Sequence, residues 1–223
     1  AILNADDDGV RETKPGATVR TITFGFSEGA QVRIQSIAVI YDEERPAGIS
    51  FKLSSAGSIV PLRLRGVLGT SHAYAAAAAA AVGISEGMNL IEIGEALEHG
   101  YIPAPGRLRI LRGMKETTMI DDSYNASLIA MEEALLALTG LHAARKIAAL
   151  GDMREIGNYT MEAHHEAGTM AAQRNIDLLV TVGEGGKLIA EGARKSGMPQ
   201  ERIHEFMSVN EAGEFLANEV KKG

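Results

Sequence analysis

Apolar and polar positions alternate between Thr18 and Phe26, where Val19, Ile22, Phe24 and Phe26 sit among polar partners. That period of two is the signature of a strand with one buried face. Residues 31–41, 48–53 and 58–64 share the character, with Glu-Arg-Pro and Ala-Gly turns between them. Short runs at that spacing predict antiparallel hairpins. A shorter apolar run, Ala1-Ile2-Leu3, comes first and ends in the polar loop Asn4-Ala5-Asp6-Asp7-Asp8. Alanine, the best intrinsic helix former, dominates residues 71–82, and Gly83 follows as a natural C-cap. Residues 90–99 read as a second helix, closed by Gly100. Then Tyr101-Ile102-Pro103-Ala104-Pro105-Gly106 breaks the pattern, since two prolines and a glycine cannot continue a helix. This is the best domain boundary in the chain.

Beyond it the rhythm becomes regular. Short apolar runs at 117–120, 146–150, 178–182 and 203–206 alternate with helical patterns at 128–138, 160–174, 186–196 and 210–220. In the first of these helices Leu128, Met131, Leu135 and Leu138 recur on one face. Strands alternating with single helices predict βαβ units and a parallel sheet covered on both faces, an open Rossmann-like α/β domain. Ligands in such sheets bind beyond the carboxyl ends of the strands. That rule selects three loops, at 121–125, 151–155 and 183–186.

Composition narrows the chemistry. The 223 residues are 45% hydrophobic and 23% charged, enough apolar material for a real core. Aromatics are only 4% and tryptophan is absent, so that core must be built from Ala, Leu, Ile, Val and Met. A net charge of −7 argues against a general nucleic-acid or anionic-membrane binder. With no cysteine, disulfides, thiolate catalysis and Cys-zinc sites are excluded. The apolar run at 73–82 is far short of the roughly 20 residues that a membrane span needs. The chain opens in a strand-like run without an initiator Met or signal pattern and stops at a helix end, so a fragment is expected at both ends.

Several constellations carry candidate chemistry. Asp121-Asp122-Ser123-Tyr124-Asn125-Ala126 follows a strand and opens a helix. A carboxylate there can accept from ribose hydroxyls and the Tyr can pack on a flat ring; equally, Ser123 or Asn125 is an N-cap beside dipole-favouring carboxylates. Asn4 offers both donor and acceptor, as the edge of adenine requires, while Asp6-Asp7-Asp8 is either a Mg²⁺ site or a solvated turn. Gly151-Asp152-Met153-Arg154-Glu155 ends a buried strand, as ordinary βα loops also do. The Gly183-Glu184-Gly185-Gly186-Lys187 segment could cradle an anion but lacks the G-x-x-x-x-G-K-[ST] spacing. His164 and His165, adjacent on a helix, point in different directions and make a poor metal pair. Arg107, next to the boundary, either reaches a phosphate or pins the linker.

Taken together these segments resemble the Mur ligases, and within that family its MurF type, which joins D-alanyl-D-alanine to a UDP-N-acetylmuramoyl-tripeptide. Leu3-Asn4-Ala5-Asp6-Asp7 is similar to the family's LNADD, and GTSHAYAAAAAAAVG at 69–83 to its Ala-rich helix. DDSYNA at 121–126 resembles the DDSYNAN signature, and LGDMREIG at 150–157 resembles LGDM-x-E-L-G, with His164 where a downstream His usually lies. Ser71, His72, Ala76 and Ser127 depart from the family's pattern. The resemblance implies a partial central ATP-binding domain over 1–105, with a small antiparallel sheet, and a Rossmann-like C-terminal domain over 106–223. It implies that ATP is bound by Asn4 at adenine, Asp122 at ribose, Arg107 at the γ-phosphate as the catalytic cation, and Tyr124 and Asn125 along the cleft. Asp152, Met153 and Glu155 would receive D-alanyl-D-alanine. It also implies Mg²⁺ held mainly by residues outside this chain, a cytoplasmic monomer, and chemistry through an acyl phosphate. Two other readings stay open, a sister amide ligase of the folylpolyglutamate or cyanophycin type and a stand-alone nucleotide- or peptide-binding module.

The family's P-loop, G-T-N-G-K-T, does not occur in the 223 residues. The isolated chain is therefore expected to release no phosphate from ATP when given both substrates. A coupled phosphate-release assay checks this.

Overall fold

The computed structural model describes residues 1–13, 16 and 18–222. The chain divides into two compact units, Ala1–Pro103 and Ala104–Gly223.

The first unit is built on a mixed sheet. β1 (Ile2–Asn4), β2 (Ile22–Gly25) and β3 (Val32–Asp42) run parallel, with α1 (Asp8–Arg11) between the first two. β3, β4 (Arg45–Ser55) and β5 (Ser58–Arg65) form an antiparallel meander, so the strand order is β1-β2-β3-β4-β5. The long strands expose one face and bury Ile34, Ile49, Phe51, Leu53, Leu62 and Leu64 on the other. The β4–β5 turn is Ala56-Gly57, both with positive φ, as a two-residue hairpin requires. The β3–β4 turn falls at Glu43-Glu44; Arg45 and Pro46 belong to the strand rather than to the expected Glu-Arg-Pro turn. Pro46 has no ladder N–H to donate, and Tyr41 pairs with it beside a register shift that accommodates this.

Two helices cover the sheet, α2 (Ser71–Ser85) and α3 (Leu90–Gly100). α2 buries Ala73, Ala76, Ala77, Ala80 and Ala81, small side chains that let the helix lie close to β2 and β3. Gly83 does not end α2, as the sequence reading expected. The helix continues to Ser85, and a Cβ at Gly83 would stand 2.9 Å from Ile93 Cγ1 on α3. The glycine is a helix-crossing residue, and the left-handed turn after the helix is made by Gly87 at φ +89°. α3 starts on a capping box: the Asn89 side chain accepts from Glu92 N–H while the Glu92 carboxylate accepts from Asn89 N–H.

The second unit opens with β6 (Arg109–Arg112) and β7 (Thr118–Asp121), an antiparallel pair. The 117–120 run thus lies outside the parallel sheet that the strand–helix rhythm suggested. Its partner is a four-residue strand with arginines at both ends, too weakly apolar to read. There follow α4 (Leu128–Gly140), β8 (Ile147–Leu150), α5 (Thr160–Gln173), β9 (Leu178–Val182), α6 (Glu184–Lys195), β10 (Ile203–Phe206) and α7 (Val209–Glu219). β8, β9 and β10 form a parallel sheet in the order β10-β9-β8. The central strand shows why it is doubly covered. Leu179 packs with Ala167, Ile189 and Ala190, while Leu178 and Val180 pack with Ala212 of α7.

α5 and α6 cross at glycines. A Cβ on Gly168 would lie 1.9 Å from the Ile189 carbonyl oxygen, and one on Gly192 would lie 2.1 Å from that of His165. Neither neighbour is a side chain that can swing away, so the two backbones hold this distance only without those side chains. Gly168→Ala should cost about 3 kcal/mol through overpacking. Gly213→Ala, in α7 with nothing within 4 Å of its Cβ, should gain up to about 1 kcal/mol from helix propensity. Urea-denaturation midpoints of the two variants check the opposite signs.

Candidate functional site

Two surface features of the second unit are assembled from loops. In the first, the segment entering β6 is pinned to the segment leaving β7. Gly106 N–H donates to Asp121 Oδ2 at 3.1 Å, Leu108 N–H donates to Asp122 Oδ1 at 3.0 Å, and Tyr124 N–H donates to the Gly106 carbonyl at 3.2 Å. Gly106 has φ +68°, and a Cβ there would stand 2.6 Å from Tyr124 N. Only glycine satisfies both conditions. Between these ties Arg107 is exposed, and its guanidinium carbon lies 4.4 Å from the centroid of the Tyr124 ring, a cation–π stack. Tyr124 itself is 71% exposed.

The two adjacent carboxylates sit in opposite environments. The Ser123 hydroxyl donates to Asp121, which with the Ser123 and Gly106 N–H groups and Arg109 holds that carboxyl below its ordinary value. Burial pushes the Asp122 carboxyl up. The nearby Glu133 and Asp121 add to the rise, and the Leu108 N–H and Arg107 oppose it. Asp121 is thus a brace, and Asp122 is a half-buried carboxylate beside an exposed cation and an exposed ring. Neither Ser123 nor Asn125 caps α4; Ser127 does, accepting from Ala130 N–H, and Asn125 Oδ1 accepts from its neighbour Ala126.

The second feature joins the loops after β8 and β9, which leave the same edge of the sheet because their strands are parallel neighbours. α6 starts at Glu184, earlier than the sequence reading placed it, so Gly185 and Gly186 lie in its first turn. The donor Gly186 N–H reaches Asp152 Oδ1 at 3.2 Å. The anion at this helix start is the chain's own carboxylate, which answers the expectation of an anion cradle there. Met153 is buried in the core, 3% exposed, whereas Asp152 and Glu155 are exposed. His164 is 1% exposed, with Nδ1 2.5 Å from the Thr160 carbonyl and Nε2 2.9 Å from Met153 N. His165 points elsewhere and pairs with Glu191.

In the first unit Asn4 Oδ1 accepts from Asp6 N–H, closing a tight turn after β1. The Asp6 carboxylate then accepts from Phe26 N–H, from the Ser27 N–H and hydroxyl, and from the Tyr74 hydroxyl of α2 at 2.8 Å. A Cβ at Gly25 would stand 2.5 Å from Asp6 Oδ2, so that position leaves room for the carboxylate. Asp7 caps α1 and Asp8 pairs with Arg11. The acidic run therefore has structural employment at each position. Among the described residues no group of three His, Asp or Glu side chains could hold a metal ion.

Residues 106–223 match the family model described as Mur ligase, glutamate ligase domain. The chain belongs to the Mur ligases. A Bacillus subtilis protein named UDP-N-acetylmuramoyl-tripeptide–D-alanyl-D-alanine ligase is 28% identical over 158 residues, covering 70% of this chain and 34% of its own length. The crystal structure of MurF from Acinetobacter baumannii superposes with a TM-score of 0.80 at 27% identity, over 97% of this chain and 44% of that one. The Thermotoga maritima MurF ligase, solved in complex with ADP, has the same fold at TM-score 0.72 and 21% identity, over 91% of this chain and 43% of that one. The chain spans less than half the length of these relatives.

Against this Mur ligase background the sequence-selected residues fall into three groups. Arg107, Asp122, Tyr124 and Asn125 lie together on one loop pair. Asp152, Met153 and Glu155 share another loop, with Met153 turned inward. Asn4 belongs to the first unit, where its side-chain oxygen is engaged in a turn. Sequence reading missed Asp121 and Gly106 as the braces of the first group, and Asp6 as the tie of β1 to α2. Burial would raise the Asp6 carboxyl, but hydrogen bonds from Ser27, Phe26 and Tyr74 hold it below its ordinary value of 3.8. A depressed folded value means stabilisation that is fully present above the unfolded value and lost as pH falls through the folded one. Asp6→Ala should therefore cost about 2–3 kcal/mol at neutral pH, and that gap should narrow below the ordinary carboxylate range. Urea titrations of both proteins at neutral and acid pH check it.

Proposed function

We propose that the chain supplies part of an ATP-dependent ligase that joins D-alanyl-D-alanine to a UDP-N-acetylmuramoyl-tripeptide in peptidoglycan precursor synthesis. Residues 1–105 are read as the later portion of its ATP-binding domain and 106–223 as its Rossmann-like C-terminal domain. The observation that carries the reading is the loop pair around Arg107. An always-charged guanidinium, 4.4 Å from the centroid of the Tyr124 ring, stands next to the half-buried Asp122 on a hydrogen-bonded backbone frame. Such a frame suits a nucleotide. Arg107 serves the γ-phosphate, Asp122 accepts from ribose hydroxyls, and Tyr124 and Asn125 line the approach. In the first unit the Asn4 amide is read separately as an adenine contact. The ADP bound to the Thermotoga relative supports the choice of nucleotide.

The chemistry asked of these residues is positioning and charge stabilisation. The tripeptide carboxylate attacks the γ-phosphate, ADP leaves, and the amine of D-alanyl-D-alanine displaces phosphate from the acyl phosphate. Arg107 would offset charge that develops on the transferring phosphoryl group. Asp152 and Glu155 would face the incoming dipeptide, with the buried Met153 anchoring their loop from inside. Mg²⁺ is part of the reading, as an ion held mainly by residues outside this chain. A cytoplasmic monomer is part of the same reading; no helix among the described residues is long and apolar enough to cross a membrane.

The paired carboxylates test the assignment. In the complete ligase Asp122→Ala should raise the KM for ATP about tenfold or more, through loss of a charged hydrogen bond to ribose. Asp121→Ala should act mainly on stability and leave that KM within about threefold. Equal effects on the KM for ATP would overturn the choice of Asp122. Turnover with a folate substrate in place of the muramoyl peptide would favour the sister ligase.

A further inference from the structure

We infer that His164 is a positioning residue for the acceptor-dipeptide loop, acting as a clasp that sets the Asp152–Met153 backbone. The inference rests on the reading of residues 151–155 as the loop that meets D-alanyl-D-alanine. His164 is 1% exposed and lies on α5, eleven residues beyond Met153. The backbone N–H of Met153 can only donate, so Nε2 must accept, which puts the ring proton on Nδ1, facing the Thr160 carbonyl at 2.5 Å. Both ring nitrogens are thereby used, and neither is left for a metal.

The surroundings are shaped to this ring. A Cβ at Gly185 would stand 2.2 Å from His164 Nε2 and 2.9 Å from Asp152 Oδ1. A Cβ at Gly183 would stand 2.5 Å from Asp152 Oδ1, and Gly183 has φ +92°. Gly186 N–H then closes the other side by donating to Asp152. The start of α6 thus holds the Asp152 side chain, while His164 holds the next peptide unit. The Met153 side chain, 3% exposed, is packed in the core. These contacts determine the direction of an exposed carboxylate, and among the described residues His164 is the titratable side chain bonded to the Met153 amide. Removing its acceptor leaves a buried N–H without a partner, and the loop must move to find one. A loop displaced by about 1 Å changes substrate affinity far more than it changes global stability.

His164→Leu removes the acceptor, and His164→Gln supplies an amide oxygen at similar reach. In the complete ligase His164→Leu should raise the KM for D-alanyl-D-alanine about tenfold or more, leaving the KM for ATP within about twofold, and His164→Gln should recover most of the loss. An unchanged dipeptide KM in His164→Leu, or equal rises in every KM for both variants, overturns the clasp. Asp152→Ala in the same assay separates the two ideas. If it leaves the dipeptide KM unchanged, the reading of the loop falls and takes the clasp's role with it. If Asp152→Ala raises that KM while His164→Leu does not, the clasp alone falls. Should neither His164 variant fold, nitrogen-15 NMR of the wild-type chain decides. An unprotonated Nε2 coupled through the hydrogen bond to the Met153 amide supports the clasp, and a protonated Nε2 overturns it.

Discussion

The second unit depends on two helices packed so closely that backbone approaches backbone at two glycines. With glycine at both crossing points, α5 and α6 meet at carbonyl distance, and this closeness brings His164 of one helix against Gly185 of the other. Wider spacing would leave the ring without a wall and the first turn of α6 out of reach of Asp152. The loop geometry beyond β8 is thus set by a contact between helices rather than by the loop's own residues. Close packing of interiors makes such contacts all-or-none, because a displaced backbone cannot be compensated by a side-chain rotation.

The first unit uses a different device for the same end. The loop after β1, the end of β2 and helix α2 are joined by a single carboxylate. Asp6 gathers the start of the β2–β3 connection and the Tyr74 hydroxyl of α2, and Phe26 meets the Tyr74 ring edge-on at 5.1 Å. A chain with few aromatics places two of them where a charged hydrogen bond already fixes position, so the ring contact adds to an ordered site at little entropic cost.

Much of this architecture was legible in the sequence. Period-two alternation located β2, which pairs parallel to β1 and β3 rather than in a hairpin. The turn-separated runs located the antiparallel β3, β4 and β5, alanine density located α2, and the strand–helix rhythm located the parallel β8, β9 and β10. The loops carrying Asp122 and Asp152 were selected as strand ends of an expected open α/β sheet, and Arg107 by its place beside the boundary. Of these, only the loop after β8 lies at the end of a parallel strand, because β7 pairs antiparallel with β6. Three features were not legible. β6 is short and flanked by arginines, so no periodicity announces it. Gly83 looks like a terminator, and only the presence of Ile93 on another helix makes it a crossing point. Met153 reads as a loop residue because it follows a Gly-Asp turn, and only the three-dimensional fold shows that it turns inward. In each case local pattern reports the face that an element presents, whereas the missing information is which atom of a distant element meets it.

The tie between Asp152 and the first turn of α6 has an evolutionary consequence. Loops on neighbouring strands are usually free to vary separately, which is how one scaffold acquires many specificities. Here the loop after β8 and the turn after β9 form a single lock, with a histidine and an aspartate fitted into the volumes that two glycines vacate. A lineage that acquired a methyl group at position 185 would have to surrender the imidazole opposite it in the same step. Drift in this corner must therefore proceed by paired replacement, and grafting a new loop from a relative would succeed only if the opposing turn were transplanted with it.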